Sequence, residues 1–335
     1  MGSNSNSLLE SDYRFKDVDL IDENLSPVQN FYIKQAKNVL YGIDKVNFSG
    51  QFPSVYFKSV PNFQPNVLND IAKVQKSIWN QGKVPFLYVE SPAEIRVYNG
   101  FDKPINPEDI HQNIKSLELF KASKNDEEAL EKLKHVFGSI SIESGDFWKK
   151  NEYANKIKFK TRVEQTLISN LKDTRSKLIV QGLEVEIIHD LLLRSLFLLY
   201  LEDRKATDLV FYQKYKSDAQ SFFDILDDKV ATYGIFEKLE VAFNGNLCPV
   251  TDNEKRNVTN EHLILIKDCF WSKIKEDKNQ LQLFDWRVFD FSIIPIELIS
   301  GIYEDFLSNE DGKENQAKTG AFYTPRPLAE VLLGL

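Results

Sequence analysis

The changes of hydropathy period between residues 41 and 100 constrain this fold more than any other feature. YGIDKVNF and FPSVYFKSV are alternating or β-rich, and only Ser49-Gly50-Gln51 separates them, which predicts a hairpin. The period then lengthens. Between Pro65 and Gln81, Val67, Leu68, Ile71, Val74 and Ile78 recur at three- and four-residue steps, and Gly82 ends the helix. VPFLYVES is a continuous apolar run of the kind a central strand needs, and EIRVYNG is its hairpin partner through Ser91-Pro92-Ala93. This order predicts a small α/β domain over 26–122, with a helix near Val28–Leu40 and a loose, polar and acidic tail over 1–25.

From Asn125 the text becomes helical and charged. NDEEALEKLKHVF opens with an Asn/Asp cap and early carboxylates. VEQTLISNLKDTRSKLI and EVEIIHDLLLRSLFLLYLEDR are long helices joined at Gly182, and helical spacing continues through Phe211–Phe243 and Asn260–Lys275 around a turn-rich break near 244–258. No repeat is visible. The expectation is an α+β chain whose α/β lobe precedes an irregular helical connector over 123–310.

Several chemistries are disfavoured at once. Fifty acidic residues against 42 basic ones leave a net charge of −8, so any polyanion must be met by a local patch. His111, His135, His189 and His262 are scattered, Cys248 and Cys269 lack partners at metal-ligand spacing, and no metal site is expected. His189 reads as a packed or surface histidine. No Gly-rich phosphate loop and no Gly-x-Ser-x-Gly elbow occurs. The apolar stretch from Leu183 to Leu201 carries Glu184, Glu186, His189, Asp190 and Arg194, so it reads as a buried helix and not a membrane span; with a polar N-terminus, the expectation is a cytoplasmic protein.

The hairpin has the layout of a metal-dependent nuclease. Restriction-endonuclease folds place an acid on one strand and acid-x-Lys on the next, so that two carboxylates hold a divalent cation and the lysine steadies the attacking water. Here Asp44 and Lys58 occupy two of those places, but Tyr56 stands at the second acid. Gln75, Trp79 and the following strands are similar to the corresponding part of restriction subunits. Glu90 is the one candidate for a migrated acid. The expectation is a remnant that does not cleave DNA, with magnesium relevant only were the lobe active.

Later stretches carry a stronger likeness. LLLRSLFLLYLEDRK, FEKLEVAFNGNLCPV, FDWRVFDFSIIPIELISGIYEDFL and KTGAFYTPRPLAEVLL occur in the order found in type IIG/IIS-like restriction-modification enzymes with an N6-adenine DNA methyltransferase core, and the chain resembles their N-terminal half. Asp290 or Ser292 can cap and Pro295 suits the first turn of the helix in the third stretch, where Glu297 meets the helix dipole. The resemblance implies that the chain ends at the start of a class I, Rossmann-like methyltransferase domain, 311–335, with Phe322, Tyr323 and Thr324 as contacts for S-adenosylmethionine. The Gly-rich turn and the Asn/Asp-Pro-Pro-Tyr/Phe loop that would bind the cofactor and close on adenine are not in the sequence. The implied fragment transfers no methyl group alone, binds no cofactor of its own, and has a poorly supported helix from Pro327. Its implied partners are double-stranded DNA and the downstream methyltransferase and target-recognition part, with no membrane. A non-enzymatic DNA-binding or assembly subunit, serving a separate catalytic chain, is the alternative.

For DNA the best local patch is Lys149, Lys150, Lys156, Lys158, Lys160 and Arg162, with Trp148, Tyr153 and Phe159 interleaved. A solvated linker face explains the same letters.

Overall fold

The computed structural model describes residues 13–14, 25–40, 42–105, 114–149, 152–242, 249–271 and 287–302. The protein is mixed α+β and divides into two compact units, Met1–Val163 and Glu164–Leu335.

The first unit is built on an open mixed sheet. Its strands are β1 (Tyr13–Arg14), β2 (Lys45–Ser49), β3 (Phe52–Ser59), β4 (Phe86–Glu90), β5 (Glu94–Asn99) and β6 (Glu118–Ser123), hydrogen-bonded in that order. Helices α1 (Pro27–Asn38) and α2 (Pro65–Gln81) precede β2 and β4. All neighbours are antiparallel except β3 and β4, which are parallel because α2 carries the chain back across the sheet. Ser26 and Gln29 cap α1 reciprocally, with Pro27 at the first turn. Gly82 ends α2 in the left-handed region at φ 69°, as its sequence position foretold.

The side-chain alternation of the strands builds two layers. On one face Val55, Phe57, Phe86, Tyr88, Ile95, Val97, Leu119 and Ala122 form a core with Leu133 and Phe137 of α3 (Glu127–Phe137), Ile142 of α4 (Ser139–Glu143), Phe147 of α5 (Asp146–Lys149), Tyr153 and Ile157. Residues read as the start of a helical connector at 123 therefore pack on the sheet. The expected loose tail over 1–25 also differs at one point, since Tyr13 and Arg14 pair with Val46 and Lys45. The opposite face of β3 meets α1 and α2: the buried Tyr56 hydroxyl donates to Gln81 Oε1 at 3.0 Å, and Gln81 Nε2 donates to Gln35 Oε1 at 2.8 Å.

The second unit is helical among its described residues. It contains α6 (Val163–Val180), α7 (Val185–Asp203), α8 (Leu209–Gln213), α9 (Phe222–Ile225), α10 (Lys229–Ala242), α11 (Asp252–Asn257) and α12 (Asn260–Phe270), followed by a helical segment over 296–302. The continuous run anticipated over Phe211–Phe243 is cut into short helices, because polar side chains cap each restart. Asp208 accepts from Phe211 N, Asp224 closes back on Ser221 N, and Asp228 accepts from Val230 N and Ala231 N. The segment at 296 starts after Pro295 as anticipated, and Asp290 accepts from Ser292 N.

Helix α7 buries a charge. Arg194 and Glu254 are each 1% exposed and meet at 2.6 Å, while Tyr233 donates to the same carboxylate oxygen at 2.9 Å. The guanidinium carbon also sits 4.6 Å from the centre of the Phe236 ring. No described helix is long and apolar enough to cross a membrane.

Candidate functional site

The hairpin brings Asp44 and Lys58 together and buries Tyr56. Lys45 lies opposite Phe57 in the β2–β3 register, so Asp44 lies opposite Lys58 on the face that also carries Tyr56. Asp44 is exposed and its Oδ2 accepts the Ser59 N–H. Lys58 Nζ donates to the Gly42 carbonyl at 3.2 Å. Gly42 needs its left-handed φ of 80°, and a Cβ there would stand 2.8 Å from that same Nζ. Tyr56 is wholly buried, and burial pushes its hydroxyl above the ordinary tyrosine range, so it stays a neutral donor.

The migrated acid does not join them. Glu90 stands in register with Ser59, on the opposite side of β4 from Val89, the partner of Lys58, and it is ion-paired to Lys124 at 2.5 Å. Gln75 and Trp79 serve backbone instead: Gln75 Nε2 donates to the Asn99 and Asp102 carbonyls at 3.0 and 2.8 Å. These residues do not fit a catalytic magnesium ion, because the hairpin offers Asp44 as an exposed carboxylate while the residue two before Lys58 is a buried phenol. No group of three or more His, Cys, Asp or Glu that could hold a metal occurs among the described residues.

The basic stretch is reshaped by the structure. Lys149 pairs with Asp146 at 2.8 Å, and Lys156 Nζ sits 5.1 Å from the centre of the Tyr153 ring. Arg162 works internally, donating to the Gly82 carbonyl at 2.8 Å while its guanidinium lies 4.4 Å from the Phe101 ring centre. Lys150 lies outside the described residues. Lys158 and Lys160 are exposed and have no carboxylate partner among the described residues.

These two lysines flank Phe159 on an open groove of about 520 Å³, lined also by Trp148, Asn155 and Ile157. The loop beneath is fixed from behind. Trp79 Nε1 donates to the Thr161 carbonyl at 2.7 Å, and Thr161 Oγ1 lies 2.7 Å from the Lys158 carbonyl and 3.2 Å from that of Phe101. A sequence reading names the island but misses this division of labour. Thr161 was the available signal, a short hydroxyl residue just before a helix, yet its long-range partners are invisible in one dimension.

In the second unit, two of the stretches that carry the methyltransferase resemblance are joined. Asp203 accepts Arg287 Nη2 at 2.6 Å and Phe291 N at 2.7 Å, and Glu202 accepts Phe222 N at 2.6 Å. Burial raises the Asp203 carboxyl to about 6, against the opposing pull of Arg287 and the Phe291 N–H. Phe322, Tyr323 and Thr324, the helix expected from Pro327 and the whole of 311–335 lie outside the described residues, as does the Phe-Asn-Gly-x-Leu turn. Comparison with protein-family models, curated proteins and solved structures gave no match.

Proposed function

We propose that this chain is the DNA-engaging N-terminal region of a restriction-modification adenine methyltransferase, acting as a scaffold that neither cleaves nor methylates DNA by itself. The observation that carries DNA engagement is the groove bearing Lys158, Phe159, Lys160 and Trp148, where cations without a carboxylate partner among the described residues stand beside exposed aromatic rings. The enzyme class rests on the four ordered sequence stretches, and the Glu202/Asp203–Arg287 brace gives two of them a shared structural task. The hairpin supports the non-cleaving part, since Tyr56 occupies an acid position as a core residue.

The test is fluorescence anisotropy of a labelled DNA duplex at low salt, with the parent chain and the Lys158→Gln/Lys160→Gln variant. Each lost phosphate contact should lower the slope of log affinity against log salt by about 0.9. Binding of both duplex and single-stranded DNA that is unchanged in the variant would refute the groove as the DNA surface. Methyl incorporation above background, with labelled S-adenosylmethionine and unmethylated DNA, would refute the scaffold reading.

A further inference from the structure

Three rings lead outward from the sheet to this groove. Phe86 is fully buried, Trp148 is 38% exposed and Phe159 is 58% exposed. Phe86 and Trp148 have centroids 6.0 Å apart with planes 28° from parallel; Trp148 and Phe159 are 6.2 Å and 36° apart. These separations are those of offset aromatic packing, and the series ends on a ring that shows most of its surface to water. The exposed end is held in place by the Trp79 bond to the Thr161 carbonyl and the Thr161 hydroxyl bonds to the Lys158 and Phe101 carbonyls, which fix the backbone on either side of Phe159. The Arg162 guanidinium lies 6.0 Å from the ring centre.

We infer that this groove takes unpaired bases of a single strand, with Phe159 as the stacking platform and Lys158 and Lys160 on the flanking phosphates. The inference deepens the DNA-engaging reading and rests on it. A paired duplex presents phosphates to a surface but keeps its base faces covered, so an exposed ring gains nothing from it; a single strand offers both phosphate charge and free π-faces. An acidic polypeptide would satisfy the lysines and leave the ring series without a partner. The backbone beneath the ring is held by hydrogen bonds, so little further backbone freedom is lost when a base lands on it.

The experiment compares an oligothymidylate single strand with a duplex of equal length by anisotropy, using the full chain and its Phe159→Ala, Phe159→Trp and Lys158→Gln/Lys160→Gln variants. Phe159→Ala should weaken the single strand about tenfold and leave the duplex unchanged, Phe159→Trp should restore binding, and the lysine pair should lower the single-strand salt slope by about 0.7 per contact. Circular dichroism checks that Phe159→Ala folds. If duplex binds as well as single strand, depends on the lysines and ignores Phe159→Ala, the DNA reading stands and this inference falls. If neither nucleic acid binds, both fall. Competition by polyglutamate as effective as that by the oligonucleotide would also overturn it.

Discussion

Restoring the missing acid with Tyr56→Glu is expected to damage the fold without producing a nuclease. Tyr56 is fully buried, and its hydroxyl anchors a chain that runs through Gln81, itself fully buried, to Gln35. Tyr56→Phe removes only the hydroxyl and leaves Gln81 Oε1 without that donor, which costs about 1–3 kcal/mol. Glutamate in addition removes the ring and introduces an enclosed carboxyl, for a total of about 3–5 kcal/mol. At about 2–4 °C per kcal/mol for a unit of this size, phenylalanine lowers the melting temperature by about 2–12 °C and glutamate by about 6–20 °C. Thermal melts followed by circular dichroism, with amide exchange of the β3 peptide to isolate the first unit, give the first readout. Plasmid linearisation in magnesium gives the second. A Tyr56→Glu protein that melts within about 2 °C of the parent and linearises plasmid would refute the argument, because position 56 would then be open to solvent and metal.

Asp203→Asn tests the brace through pH. The native carboxyl titrates near 6, above its ordinary 3.8, so the native state takes up the proton first. The group's stabilising contribution is complete below its unfolded value and is lost as pH rises through about 6. Urea midpoints should therefore show a more positive slope of stability against pH in Asp203→Asn than in the parent over the interval from 3.8 to about 6, and identical slopes would exclude the titration. For the buried pair in the second unit, Arg194→Met alone should cost about 3–5 kcal/mol because it strands Glu254, whereas Arg194→Met with Glu254→Leu should cost less than the single change. Urea denaturation decides it, and a single-variant loss under about 1 kcal/mol would show that the pair is not desolvated.

Much of the sheet was legible because local chemistry dictates it. Gly82, Pro65 and the apolar steps between them specify α2 without reference to anything distant, and Ser91-Pro92-Ala93 sets the β4–β5 turn. What escaped the sequence depends on tertiary partners. β6, written ELFKAS, is short and half polar, and it becomes a strand because β5 offers it a free edge. The charges of α7 argue against a membrane span, and Arg194 nevertheless lies inside because Glu254, Tyr233 and Phe236 meet it from other helices. The candidate sites divide in the same way: Asp44 and Lys58 are adjacent as their strand positions imply, while the engagement of Arg162 depends on Gly82 and Phe101.

The proposed binding surface around Phe159 differs from a plain linker in how its backbone is held. Fixing the backbone of residues 158–162 costs about 1–2 kcal/mol per residue. The bonds from Trp79, Thr161 and Arg162 each return about 1 kcal/mol, so together they offset only part of this cost. Packing gives little more, because Lys158, Phe159 and Lys160 all point to water. A linker whose sole task was to reach α6 would reach the same end with small, unpinned residues. Fixed anchors beneath three exposed side chains fit the proposal that the ordering serves contact with something outside the chain, and two lysines without a carboxylate partner among the described residues, beside a half-exposed ring, set what that something must offer: negative charge at intervals and flat apolar faces between.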